Sequence, residues 1–442
     1  MKKILFVSLG CDKNLVDSEQ MIGLLAKNGY SFTDDESQAD AIVVNTCCFI
    51  HDAKEESIET ILALAEQKKT GKCKALIVTG CLAERYYDEM QKEIPEVDAI
   101  LGTTAFDEIV QAVEETLGGK HRMVKKDVNT LTYLTGSRMV TTGGHFAYLK
   151  IAEGCNKHCT YCIIPKIRGD YRSVPMEDLL NDARSLAAQG VKELILVAQE
   201  TTVYGVDLYG EKKLPELLKK LCEISGLVWI RILYCYPEEI TDELIKVIKE
   251  EKKICHYLDL PIQHASDSVL KRMGRRTSQK ELREIIGKLR REIPDICLRT
   301  TLITGFPGES REDHETVMGF VDEMEFDRLG VFPYSPEEGT PAEQFENQVD
   351  EETKEERRAE IMELQQEIAF DKAEDMQGRE LYVFVEGKVA DENAYVARTY
   401  KDAPNVDGMI FVNTNAELMT GDFVKVKVTG AYEYDLIGEI VE

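Results

Sequence analysis

Three cysteines fall within eight residues of this chain, Cys155, Cys159 and Cys162, in the run Gly154-Cys-Asn-Lys-His-Cys-Thr-Tyr-Cys. Their thiolates can hold a 4Fe–4S cluster, which takes four cysteines when the protein ligates it completely. The next cysteine along the chain is Cys222. One iron would therefore stay free of protein, and open metal positions are where catalysis takes place. A structural zinc site or three packed cysteines are the competing readings. Zinc sites usually pair one Cys-x-x-Cys with a second pair at a distance, and the triplet lacks a second pair.

A second set of cysteines recurs at strand ends. Short apolar runs over 2–9, 41–46 and 75–79 each run into a cysteine: Leu9-Gly10-Cys11, Asn45-Thr46-Cys47 and Thr79-Gly80-Cys81. Helical patterns near 15–28 and 53–68 separate these runs, which predicts a parallel α/β sheet. Ligands of open parallel sheets bind beyond the carboxyl ends of the strands. Cys11, Cys47 and Cys81 are thus expected to converge on a second cluster with an open iron, with Gly10 and Gly80 allowing close backbone approach. Cys47 is preferred to Cys48 because it ends the strand. Three buried cysteines acting as small hydrophobes are the alternative. Cys48, Cys73, Cys222, Cys235, Cys255 and Cys297 are assigned to packing.

Further strands and helices must position the first triplet. Apolar runs at 146–152, 194–198, 229–234, 257–260, 298–303 and 329–332 alternate with helical stretches. This pattern predicts a partial (βα)6 barrel of the TIM type, whose chemistry sits at the C-terminal strand ends. The polar residues there include Gln199, Glu200 and Thr202 after the second strand and Gln263 after the fourth. Gly305 and Gly308 follow the fifth and could bring backbone to a ligand, although Gly-x-Pro-Gly is also a plain turn.

The expected organisation is an N-terminal parallel α/β domain over 1–118, a linker over 119–143 and the barrel over 144–350. An exposed connecting helix over 351–376 and a small antiparallel β-barrel over 377–442 complete it. The last segment alternates as strands and is punctuated by Asp407-Gly408 and Thr420-Gly421-Asp422. The start of the chain imitates a lipoprotein signal, but its apolar stretch is short and repeats the strand-then-cysteine pattern. No apolar run reaches the length of a membrane span. Twelve cysteines in a chain of 442 residues fit a reducing cytoplasm better than a secreted disulfide scaffold.

The net charge is −27, which repels nucleic acid and favours basic partners. Residues 378–442 carry twelve Asp/Glu against six Lys/Arg. A phosphate backbone is therefore not favoured as the ligand of this small barrel, and a basic protein is.

The order of these parts, with the cysteine triplet, resembles the radical S-adenosylmethionine (SAM) methylthiotransferases over essentially the whole chain. Within them it is most similar to the enzymes that modify an aspartate of small-subunit ribosomal protein twelve. The supporting runs are Tyr161-Cys-Ile-Ile-Pro-Lys-Ile-Arg-Gly-Asp-Tyr-Arg, Asp259-Leu-Pro-Ile-Gln-His-Ala-Ser, Tyr334-Ser-Pro-Glu-Glu-Gly-Thr-Pro and Tyr400-Lys-Asp-Ala-Pro-Asn-Val-Asp-Gly.

The resemblance implies two 4Fe–4S clusters and SAM as cofactors, and a TRAM-type fold for the last barrel. Cys155, Cys159 and Cys162 would hold the cluster that cleaves SAM. Cys11, Cys47 and Cys81 would hold the one that carries sulfur. Tyr161, Gln199, Glu200, Thr202, Gln263, Gly305 and Gly308 would line the SAM site. Glu200 departs from the family's usual aspartate. One SAM would donate a methyl group, and a second would yield the radical that attacks the β-carbon of the aspartate. Both clusters must then face one cavity, with the first domain over the barrel mouth. The basic ribosomal protein would be met through the acidic TRAM barrel, and electrons would come from a donor such as a flavodoxin or ferredoxin. A tRNA-adenosine methylthiotransferase and a non-enzymatic Fe–S carrier or redox sensor are the alternatives.

Overall fold

A computed structural model describes residues 2–136 and 138–441. The first sheet contains β1 (Lys3–Ser8), β2 (Ser31–Phe32), β3 (Ala41–Thr46), β4 (Ala75–Gly80), β5 (Ala99–Leu101) and β6 (Arg122–Val124). Its order is β2-β1-β3-β4-β5-β6, and every pairing is parallel. β1, β3 and β4 read as near-continuous apolar runs because helices cover both faces of the sheet. The signal-like start of the chain is thus an inner strand. The chain turns one way from β1 to β2 and the other way to β3, which makes the β1/β3 end a switch point. Helix α1 (Asp12–Lys27) starts there. The sheet also extends into 119–143, the stretch expected to be a linker. Arg122-Met-Val is too short to stand out in sequence and is a strand because β5 offers it a free edge.

The second sheet contains β7 (Phe146–Lys150), then, past the small hairpin of β8 (Ala152–Glu153) and β9 (Arg172–Ser173), β10 (Glu193–Val197), β11 (Trp229–Ile232), β12 (Ile254–Asp259), β13 (Cys297–Thr304) and β14 (Arg328–Pro333). Its six strands lie in sequence order with parallel pairing, and β7 and β14 form the two edges. Alternate residues serve two cores, as the two-residue period of a strand requires. Leu149, Leu194, Leu196, Ile230, Ile232 and Leu258 pack outward among the helices. Phe146, Tyr148, Ile195, Val197, Trp229 and Tyr257 form a second core on the opposite face.

Two other parts of the chain reach that second face, α1 of the first domain and Phe384 and Ala403 near the end of the chain. Val16 of α1 joins its core. The Lys13 ammonium lies 3.3 Å over the ring of Tyr234, whose hydroxyl donates to Asp12 at 3.2 Å. The first domain therefore packs on the carboxyl ends of the central strands, as two clusters sharing one cavity would need.

The third domain is a closed five-stranded barrel of β15 (Glu380–Lys388), β16 (Ala394–Arg398), β17 (Ile410–Asn413), β18 (Phe423–Tyr432) and β19 (Asp435–Ile440). Four of its pairings are antiparallel; β17 and β19 pair in parallel. It docks on the amino ends of the central strands. Glu193, which opens β10, binds Arg398 at 2.7 Å and Arg231 at 2.9 Å. Arg328, which opens β14, donates to Asp402 at 2.6 Å. Tyr257 donates to Asp407 at 2.7 Å.

The helix Glu351–Glu374 precedes this barrel and is less exposed than its charges suggested. Lys354, Arg357, Ile361, Gln365, Ala369 and Ala373 are buried along one face. Its polar residues go inside because each finds a partner there: Lys354 donates to the Tyr334 carbonyl at 2.9 Å and Arg357 to Glu309 at 2.9 Å.

Candidate active site

Cys155, Cys159 and Cys162 lie on the loop between β8 and the short helix Ile164–Arg168. Gly154 bends the chain into this loop with φ +80°, and a Cβ there would sit 2.1 Å from the Asp170 carbonyl oxygen. The Cys155 amide donates to the Gly169 carbonyl at 3.1 Å, and that of Cys162 to the Cys159 carbonyl at 3.0 Å. Burial pushes the Cys155 thiol up to about 11, with Glu200 and Cys159 adding negative charge nearby. Burial also raises Cys162 strongly, and Cys159 and Cys155 raise it further. The thiols are thus close enough to oppose one another's ionisation, and bound iron would relieve that repulsion.

Cys47 and Cys81 follow β3 and β4 directly, and Cys11 follows β1 after two intervening residues. Burial raises the Cys81 thiol, Arg168 opposes the rise, and Cys48, Cys47 and Cys11 reinforce it. A Cβ on Gly10, at φ +86°, would lie 2.5 Å from Cys47 Cβ and 2.8 Å from its Sγ. Gly80, at φ +94°, would meet Asn45 Oδ1 at 2.3 Å. These glycines therefore make room for the neighbouring strand end, where the sequence suggested room for a cluster. Cys48 is fully buried in the first domain's core. Among the described residues, no group of three or more His, Cys, Asp or Glu side chains converges tightly enough to hold a single metal ion. A four-iron cube takes each ligand on a separate iron and suits neighbouring thiols better.

Several residues expected at a ligand site gather round the first triplet. The ring of Tyr161 meets Phe306 edge-on at 6.4 Å. Gln199 donates to Glu153 at 2.7 Å. Glu200 is buried, accepts from Thr202, and lies 3.3 Å from the Lys157 ammonium on the cysteine loop. Burial pushes the Glu200 carboxyl up to about 7 against the pull of Lys157. Gln263 bridges to Leu302 with φ +69°, an unusual backbone for a non-glycine residue.

Gly305 and Gly308 also lie against protein side chains. A Cβ on Gly305 would lie 2.2 Å from Lys354 Cγ, and one on Gly308 3.1 Å from the Arg272 guanidinium. Both have positive φ, and turn geometry together with the packing of Lys354 and Arg272 requires glycine at each.

Other residues of the site carried no sequence signal of their own. The Tyr236 hydroxyl is 3.7 Å from Cys159 Sγ, and the Arg275 guanidinium stacks 4.2 Å over the Tyr236 ring. Arg275 is buried, and its Nε and Nη1 lack hydrogen-bond partners among the described residues. Between the triplets lies a buried ionic group. Lys150 binds Asp17 and Glu153, and Arg168 binds the same two carboxylates at 2.9 and 3.1 Å. Arg168 also donates to Asn14 and, at 3.3 Å, to Cys81 Sγ. One hydrogen-bonded path thus runs from Cys81 through Arg168 and Glu153 to Gln199.

Comparison with known proteins agrees with this layout. Residues 3–102 match the Uncharacterized protein family UPF0004, 149–321 the Radical SAM superfamily and 378–441 the TRAM domain. A ribosomal protein uS12 methylthiotransferase RimO of Lachnoclostridium phytofermentans is 64% identical over 436 residues, covering 99% of both chains. The protein of the same name from Acetivibrio thermocellus is 51% identical over 100% of this chain and 98% of its own. Among solved structures, the radical SAM methyltransferase TsrM of Kitasatospora setae superposes with a TM-score of 0.56, covering 86% of this chain and 79% of that one. At 13% identity that likeness bears on the fold alone. Identity of this extent over the full length, with the three domains in register, places the chain in the RimO family of ribosomal protein uS12 methylthiotransferases.

Proposed function

We propose that this chain transfers a methylthio group to the β-carbon of an aspartate in ribosomal protein uS12, with SAM as both methyl donor and radical source. The observation that carries the reading is the pair of cysteine triplets on facing domains, joined through Arg168 at 3.3 Å from Cys81 Sγ. When bound, a 4Fe–4S cluster on Cys155, Cys159 and Cys162 supplies the electron that cleaves SAM, and one on Cys11, Cys47 and Cys81 holds the sulfur to be transferred. An unactivated C–H bond needs such radical chemistry, because no side-chain base ionises it near neutral pH.

The chain's own residues bind, orient and exclude water. Tyr161, Gln199, Glu200 and Thr202 line the side of the first triplet, and Gln263 stands at the end of β12. Lys13 and Tyr234 help to close the domain junction over the strand ends. We assign the acidic TRAM barrel to holding the basic ribosomal protein away from the reacting centre, since it docks at the opposite ends of the strands. A low-potential donor such as a flavodoxin or ferredoxin supplies electrons. No described helix is long and apolar enough to cross a membrane, and a reducing cytoplasm suits open iron–sulfur sites.

The test is a competition. Anaerobically reconstituted protein with SAM and a reductant receives uS12 and bulk tRNA together, and both are read by mass spectrometry. A methylthio increment on an aspartate of uS12 is expected. An increment on tRNA adenosine alone would refute the substrate. Iron binding without SAM cleavage would favour an electron carrier.

A further inference from the structure

We propose that Arg168 is a positioning residue for the cluster on Cys11, Cys47 and Cys81, and that its hydrogen bond to Cys81 Sγ raises that cluster's midpoint potential. The inference rests on the proposed function only in needing a cluster on those cysteines; it does not depend on the substrate.

Arg168 belongs to the central domain but serves the first. It ends the helix that follows the Cys155–Cys162 loop. Its turn is fixed, because Gly169 has φ +72° and a Cβ there would strike the Val128 carbonyl oxygen at 2.7 Å. The Gly169 carbonyl in turn accepts from the Cys155 amide at 3.1 Å. Arg168 is 2% exposed. Its Nη1 donates to Asp17 at 2.9 Å and Glu153 at 3.1 Å, while Nη2 donates to Asn14 and to Cys81 Sγ at 3.3 Å. A guanidinium is a rigid planar fork, so anchoring one nitrogen on two carboxylates aims the other.

Charge balance gives the direction. Arg168 and Lys150 are two buried cations facing two buried carboxylates, Asp17 and Glu153. That group is neutral by itself, and the Cys81 thiolate receives a charge-assisted donor from it. Iron–sulfur potentials respond to net charge and to hydrogen bonds on the sulfurs. An electron added beside a cation and a donor is held more tightly, so the potential rises. Groups behind metal ligands commonly orient and tune them in this way.

The experiment uses the full chain with Cys155, Cys159 and Cys162 changed to Ala, so that only the second cluster is built. Iron content is measured, and the cluster is titrated against ambient potential by electron paramagnetic resonance. Arg168→Gln is paired with Asp17→Asn, which removes one cation and one anion together. Expected is a fall in potential that raises the oxidised-to-reduced ratio at least tenfold at fixed ambient potential, with iron content kept. Asp17→Asn alone should produce no fall. Arg168→Lys keeps charge without the fork and should fall part of the way. An unchanged potential in the paired variant, with only thermal stability lowered, would reduce Arg168 to a tie between domains and overturn the proposal. Should the paired variant bind no iron, an Arg168→Lys chain with parental potential would overturn it equally. A parental triple-Ala chain without iron would instead refute the cluster reading beneath it.

Discussion

Gly10 permits a prediction whose magnitude comes from comparing two glycines of the first domain. Gly10 and Gly29 have nearly the same φ, +86° and +81°. Placing Ala at either should cost about 1–2 kcal/mol, the left-handed penalty for an L-residue. Their surroundings differ. Nothing lies within 4 Å of a Cβ on Gly29, whereas one on Gly10 would sit 2.5 Å from Cys47 Cβ and 2.8 Å from its Sγ. Relieving that overlap means moving Cys47, and overpacking of this kind costs about 1–3 kcal/mol more. Gly29→Ala should therefore lose about 1–2 kcal/mol and bind iron normally. Gly10→Ala should lose about 2–5 kcal/mol. Its displaced thiol should also lower iron from about eight to about four atoms per chain after reconstitution, the content of one 4Fe–4S cluster. Urea denaturation of the iron-free chains and iron and sulfide analysis of the reconstituted ones give the two readings. Equal stability loss in both variants, with full iron in Gly10→Ala, would refute the reasoning that Gly10 exists to place Cys47.

Three further outcomes are expected. Changing Cys155, Cys159 and Cys162 to Ala should abolish SAM cleavage while about four irons remain; Cys48→Ala should keep the full iron content, and a loss there would exchange the roles of Cys47 and Cys48. Glu193 is fully buried between Arg231 and Arg398, so Glu193→Ala should cost about 3–5 kcal/mol in urea denaturation by leaving the buried Arg231 without a carboxylate and Arg398 with Glu386 alone. Burial pushes the Glu193 carboxyl up, but Arg398 and Arg231 prevail and hold it below its usual range. Its contribution is thus present above the unfolded glutamate pKa of about 4.3 and lost as pH falls through the lower folded value; Glu193→Gln should remove that part of the acid dependence. Arg85 binds Glu337 at 2.9 Å and the Glu338 carbonyl at 2.8 Å, so Arg85→Ala should free the loop after β14 and speed its cleavage in limited proteolysis, whereas an unchanged rate would mean that other contacts hold it.

Sequence by itself announced the parallel first sheet, the parallel strands of the central domain, the small β-barrel and the recurrence of cysteines at strand ends. Strand runs and the Cys-x-x-x-Cys-x-x-Cys spacing are local, and the three strand-end cysteines repeat one local pattern that a parallel sheet must bring to one edge. The tertiary structure decided what faces those cysteines. Arg168 reaches Cys81 across 87 residues and Asp17 across 151, and nothing near Arg168 in the chain announces either partner. Tyr236 meets Cys159, and Arg275 meets Tyr236, for the same reason. At Gly305 and Gly308 a local turn motif shows that a Cβ is unwelcome without showing that Lys354 and Arg272 occupy its space. The placement of the TRAM barrel at the amino ends of the central strands was likewise beyond the sequence. It rests on buried pairs such as Glu193 with Arg398, formed between residues whose charges, read along the chain, look like any solvated surface.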